Sequence, residues 1–355
     1  MRLRNWFKSL IGRRAQSATT SAHQRGPATH VIILDGTMSS LMPGRETHAG
    51  LLYKLLDEVG AASNRSVYYE PGIQWSDWGD TLDVMQGRGI NSQIKRAYGV
   101  LASRYRAGDR IILAGYSRGA YAVRSLAGVI DLVGLVRPDH ATERNVQLAY
   151  RHYRRGGRGA AAEAFRKRFC HTQVDIEAVA VWDTVKALGL RLPFLWRWSN
   201  EEHAFHNHAL GRSVKNGFHA LAIDERREAY TPVMWACPPG WPGHMEQVWF
   251  RGTHGDVGGQ IDGIEAARPL ANISLVWMLD RLAMCGVPLP EGWAARFAVD
   301  PAAPSIGAWR GWSKLFWSRR TRIVGADRSE RLHDSVTPAA ETPARENMRA
   351  NSAPW

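Results

Sequence analysis

From about residue 30 to residue 285, short apolar runs alternate with stripes of apolar residues at helical spacing. His30 to Leu34 is apolar and β-branched and stops at Asp35-Gly36-Thr37, which predicts a buried strand entering a turn. A helix over His48 to Val59 follows, then a strand at Ser66 to Tyr69, a glycine-rich loop from Pro71 to Arg88, and a helix over Ile90 to Tyr105. Arg110 to Ala114 reads as a strand, and Ala120, Val123, Leu126, Ala127 and Ile130 then fall on one face of a helix running to Val133. Glu143 to Arg168 is helical, arginine-rich and broken by glycines, as expected of an inserted cap or a surface hairpin. Strands at Ile176 to Trp182 and Gln247 to Phe250 and a helix at Leu270 to Cys285 complete the series. Strands alternating with helices predict the α/β class, here a mostly parallel, doubly wound sheet with helical insertions.

Between the strand at 110 and the helix at 120 stands Gly115-Tyr116-Ser117-Arg118-Gly119, a G-x-S-x-G pentapeptide. In that setting the serine occupies a sharp strand-to-helix turn, and side chains at Gly115 and Gly119 would strike the neighbouring strand and helix. A turn serine that only packs is the bland alternative. A hydroxyl is a poor nucleophile at neutral pH, so Ser117 requires a histidine base, itself oriented by a carboxylate. With the chain order Ser, acid, His and each group just past a strand, the candidates are Asp183 after Ala180-Val181-Trp182 and His254 after Val248-Trp249-Phe250. Asp175, Asp224, Asp256, His219 and His244 compete, with Asp256 more suited to bracing the loop than to orienting His254. The oxyanion of an acyl-transfer reaction needs two backbone donors. Arg118, directly after the serine, supplies one, and Gly36 or Thr37 in the first turn supplies the other; alternatively that turn is simply capped by Asp35.

The chain has 355 residues, 45% of them apolar, enough for one large core. Three cysteines far apart suggest neither a disulfide framework nor a zinc site. His203, His206 and His208 lack an accompanying metal motif, so no metal and no cofactor is expected. A formal net charge of +13 favours anionic partners such as phosphate head groups, while no nucleic-acid-binding module accompanies it. Residues 1–28 read as a basic amphipathic leader and linker. Trp6, Phe7, Leu10 and Ile11 are interleaved with arginines, unlike a secretory signal, and a helix on an anionic membrane and a disordered leader fit them equally. No run is long enough to span a bilayer. Residues 300–355 combine a Trp309 to Arg320 segment suited to a membrane interface with a tail expected to be disordered over its last thirty or so residues.

Six ordered blocks, "VIILDGT", "YYEPGI", "ILAGYSRGAYAVRSLAGVI", "AVWDTVKALG", "LAIDERREAYTPVMW" and "VWFRGTHGDVGG", resemble the bacterial α/β-hydrolases that include the phospholipase effectors of type VI secretion. Asp35-Gly36-Thr37 runs on here into Met38-Ser39, where that family's first block continues into Trp and Asn. The blocks run over roughly His30 to Cys285, inside a catalytic domain read as 29–299, and the resemblance implies an α/β-hydrolase-like fold, a triad falling on Ser117, Asp183 and His254, and hydrolysis of phospholipid acyl esters; the basic aromatic segments point to an anionic membrane surface as a partner. It also admits export by a dedicated secretion system; otherwise a cytoplasmic or peripheral-membrane protein is expected. The alternatives are an esterase of small soluble substrates and a catalytically silent hydrolase-fold binding protein.

Overall fold

The computed structural model describes residues 26–60, 64–72, 88–185, 209–308 and 318–336. Over those residues the strands are β1 (Thr29–Leu34), β2 (Arg65–Glu70), β3 (Arg110–Tyr116), β4 (Ile176–Trp182), β5 (Val214–Ala222), β6 (His244–Phe250) and β7 (Glu330–Leu332). They form one seven-stranded sheet in the order β2-β1-β3-β4-β5-β6-β7, every neighbouring pair parallel. The chain starts at β1, steps outward to β2, then crosses to the far side of β1 to lay down β3. The order therefore reverses between β1 and β3, and a parallel sheet of this kind opens a crevice beyond the carboxyl ends of those two strands.

Side chains alternate between the two faces of the sheet along each strand, as the period of two requires. Ile32, Leu34, Ile111, Leu113, Val179 and Val181 face one side, in a core shared with α2 (Arg88–Arg104), α3 (Ser117–Val133), α4 (Glu143–Arg154) and α5 (Ala160–Phe169). Val31, Ile33, Ile112, Ala114, Ala178 and Ala180 face the other, in a core shared with α1 (His48–Glu58) and α7 (Arg268–Met284). Both faces are covered, which is why the central strands read as nearly continuous apolar runs. Thr47 caps α1 by accepting the Gly50 N–H on its hydroxyl. α3 is buried along almost its whole length, because α2 and α4 pack over the side that the sheet does not cover.

The predicted elements are present with shifts of a few residues at their ends. The 143–168 region is a surface hairpin: α4 and α5 separate at Gly156, Gly157 and Gly159, all at positive φ, and Val146, Tyr153 and Phe165 pack into the α3 side of the core. Two strands went unpredicted. β5 opens with Val-Lys-Asn-Gly, too polar to stand out, yet its last six residues are buried between β4 and β6. β7 is three residues long and pairs with β6 from within the tail expected to be disordered. It brings 318–336 onto the sheet, past the boundary expected at residue 299. The leader over 1–25, the loop over 73–87, the three clustered histidines and most of the Trp309 to Arg320 segment lie outside the described residues. No described helix is long and apolar enough to cross a membrane.

Candidate active site

Five loops leave the carboxyl edge of the sheet close together because the strand ends are in register, Gly115 lying level with Leu34 and Val181. On the loop from β3 to α3, Ser117 has a φ of 56°, a left-handed conformation that costs a non-glycine residue roughly 1 kcal/mol or more. A Cβ on Gly119 would sit 2.0 Å from the Leu34 carbonyl oxygen, and one on Gly115 would sit 2.8 Å from the Gly119 backbone. The two glycines thus let the serine turn fold back against β1.

The Ser117 Oγ lies 2.9 Å from His254 Nε2, and His254 Nδ1 lies 2.6 Å from Asp183 Oδ2. Because a carboxylate only accepts, Nδ1 carries the proton toward Asp183 and Nε2 is left to accept from the serine hydroxyl. All three groups are buried, Asp183 completely. Asp183 also has a positive φ, 39°, at its turn off β4. Burial pushes its carboxyl upward, but the charge of Arg322 and hydrogen bonds from His254 and Arg322 outweigh that and hold it well below the usual carboxylate range. For His254 burial dominates and lowers it below its ordinary value, although Asp183 pulls the other way. The imidazole is therefore neutral at rest, the form that can accept a proton.

His254 opens α6 (His254–Gly258), a single helical turn. Asp256 receives both the N–H and the O–H of Thr253, and the Ser305 hydroxyl and Ile306 N–H as well, so it braces the loop and does not touch the imidazole. Tyr116 stacks on the His254 ring at 4.9 Å and Tyr230 meets it edge-on at 4.8 Å. Gly258 makes room for the first of these, since a Cβ there would fall 1.9 Å from the Tyr116 ring. The His254 N–H donates to Glu225, which is paired with Arg227 at 2.5 Å.

The Asp35-Gly36-Thr37 turn lies against the serine, a Cβ on Gly36 falling 3.2 Å from Ser117 Cβ. Asp35 is buried and accepts from the Gly36 N–H, the Thr47 hydroxyl and the Tyr69 hydroxyl, while burial pushes its carboxyl up to about 6. This engages the Gly36 N–H, one of the two donors the turn was expected to offer. The Thr37 N–H has no acceptor among the described residues, and the Arg118 N–H lies in the first turn of α3, where helix donors have no internal partner. Of the competing groups, His219 is fully buried away from Ser117, accepting the Thr184 N–H, and His244 pairs with Glu246 at the opposite end of β6. Among the described residues no group of three or more His, Cys, Asp or Glu side chains could hold a metal ion.

The family model for the type VI secretion phospholipase effector Tle1-like catalytic domain matches residues 29–281. The chain belongs to this family. A yeast relative, the uncharacterized protein YEL023C of Saccharomyces cerevisiae, is 27% identical over 253 residues, covering 64% of this chain and 35% of that protein. Two solved structures are each 17% identical. An uncharacterized protein from Pseudomonas aeruginosa has a TM-score of 0.44 over 77% of this chain and 49% of its own. The Tle1 effector bound to the VgrG spike of the type VI secretion system has a TM-score of 0.39 over 66% of this chain and 51% of its own. The chain thus spans about a third of the yeast relative and about half of each solved structure.

Several residues around this candidate site escaped the sequence reading. Tyr230, Glu225 and Arg227 lie in the polar stretch just after the unpredicted β5, and recognising that strand would have placed them at the active edge. Gly72 admits the Gly36-Thr37 turn, because a Cβ there would fall 1.9 Å from the Gly36 carbonyl oxygen. Arg322 lies beyond the matched residues, and no motif marked it.

Proposed function

We propose that the chain is a serine esterase that cleaves phospholipid acyl esters. The observation that carries this reading is the continuous chain of hydrogen bonds from Ser117 Oγ through the His254 ring to Asp183, at a serine held in a left-handed turn. Ser117 Oγ attacks the ester carbonyl as its proton passes to His254 Nε2, and Asp183 stabilises the imidazolium that forms. The oxyanion is received by the Arg118 and Thr37 N–H groups, with the Gly36 N–H left to Asp35. Collapse of the intermediate expels the alcohol, protonated by His254; water activated by the same imidazole then releases the fatty acid.

Lipid as the substrate class is supported by membership of the phospholipase effector family and by Arg118. Its side chain is partly buried beside the nucleophile and makes no hydrogen bond or ion pair among the described residues, leaving a cation free for a lipid phosphate. Family membership likewise supports delivery by a type VI apparatus.

The test is product analysis after incubation with mixed phospholipid vesicles, alongside fluorophosphonate labelling. The unsubstituted chain is expected to release fatty acid and lysophospholipid and to label once. Ser117→Ala is expected to lose labelling and to lower turnover by roughly 10⁴-fold or more. Labelling that survives the substitution would remove Ser117 as the nucleophile, and hydrolysis of soluble esters alone would remove phospholipid as the substrate.

A further inference from the structure

Arg322 is 4% exposed and reaches Asp183 from a segment far away in sequence. Its Nη1 donates to Asp183 Oδ1 at 2.5 Å and its Nη2 to Asp183 Oδ2 at 2.9 Å. The same two nitrogens also donate to the carbonyls of Ala222 at 2.7 Å and Tyr230 at 2.6 Å. Each Asp183 oxygen therefore holds two donors. Oδ1 takes Arg322 and the Ala222 N–H, and Oδ2 takes Arg322 and His254. The fork is planar and binds both oxygens at once, so it fixes the plane of the carboxylate as well as its position.

The segment that carries Arg322 is itself well anchored. Ser318 accepts the Glu228 N–H, the Arg320 N–H donates to the Arg226 carbonyl, Val324 packs against Leu221 and Trp249, and β7 pairs with β6. The anchoring segment, 318–336, falls outside the 29–281 stretch that matches the family.

We propose that Arg322 is a positioning residue of the reaction, clamping the Asp183 carboxylate in line with His254 and neutralising it so that the imidazole rests uncharged. The inference rests on the reading of Ser117, His254 and Asp183 given above. In an unaided pair, a buried carboxylate beside an imidazole favours the imidazolium, and a charged resting histidine cannot accept the serine proton. Here the carboxylate has a permanent cationic partner, and the buried group of Asp183, Arg322 and neutral His254 carries no net charge. The other charged and titratable groups near His254 are Glu225, which favours the imidazolium, Arg227, which opposes it, and the rings of Tyr116 and Tyr230; near Asp183 there is also His219. Glu225 and Arg227 are paired with each other, which leaves Arg322 as the cation acting directly on Asp183.

Histidine-labelled NMR reads this without turnover. In the Ser117→Ala chain, the His254 ring nitrogens are followed with pH, assigned by their loss in Ser117→Ala with His254→Gln. Adding Arg322→Gln is expected to raise the His254 titration midpoint by roughly one unit, whereas adding Arg322→Lys, which keeps the charge, leaves it nearly in place. A midpoint unmoved by Arg322→Gln overturns the proposal. If the glutamine chain does not fold, Arg322→Lys in the otherwise unaltered chain decides. A point charge cannot hold both oxygens, so fluorophosphonate labelling at pH 7 should slow roughly tenfold, and an unchanged rate overturns the clamp. Failure of the unsubstituted chain to label at Ser117 would count against the esterase reading instead, since the NMR titration does not depend on it.

Discussion

The two halves of the proposed site are built by different physics. On the side of the proposed nucleophile, Ser117 is placed by backbone contacts of atomic size: two glycines without a Cβ, a left-handed turn laid against β1, and the close approach of the Gly36 and Gly72 backbones. On the acid and base side, Asp183 and His254 are placed by charge and hydrogen bonding among groups from β4, the loop after β5, the loop after β6 and the segment carrying Arg322. The first half tolerates no added volume and the second tolerates no lost charge. A turn can be written in five residues, whereas a charge network needs the sheet to bring its members together.

The largest expected effect lies on the second side. Asp183→Asn presents an amide to His254, favours the wrong tautomer and leaves Arg322 without its carboxylate, so turnover by the folded fraction should fall roughly 10⁴-fold. A loss under about tenfold would mean that His254 is held by something other than Asp183, and the comparison would break. On the first side, Gly119→Ala drives a methyl group into the Leu34 carbonyl and should cost about 3 kcal/mol of stability, read as a lower urea midpoint, without moving the pH profile of the protein that remains folded. A shift of that profile would show the two halves to be coupled. The smallest effect is the position of the acid limb. Burial lowers the folded-state value of His254 from its ordinary 6.5, so the acid limb of kcat/KM for an acyl ester should have its midpoint below 6.5. A midpoint at or above 6.5 would place the imidazole in a less buried or more negative setting than the one described.

The same division explains what could be read in advance. The strands at 30–34, 110–116 and 176–182 are buried on both faces, so their apolar runs stand out without any knowledge of their partners. The serine turn is legible for a similar reason, since its constraint is steric and local. β5 was not, because Lys215, Asn216 and Gly217 mask a strand whose burial comes from β4 and β6 on either side. With β5 hidden, the polar run Asp224-Glu225-Arg226-Arg227 had no strand end to follow, and Tyr230 had no reason to be placed against His254. Gly36 and Thr37 could not be told apart in sequence, since the choice turns on which N–H the Asp35 side chain captures.

By itself the sequence determined the α/β alternation, the strained serine turn, and the order in which an acid and a histidine follow strands, because each is carried by periodicity or by short-range sterics. The tertiary structure decided that three residues of a polar tail join the sheet as β7, that the Gly36 N–H is taken by Asp35 while the Thr37 N–H is not, and that Arg322 closes on Asp183. The last of these depends on groups 139 residues apart meeting in a buried space. There the cost of an unpaired charge or donor selects one partner, and no local pattern in the chain records which one it will be.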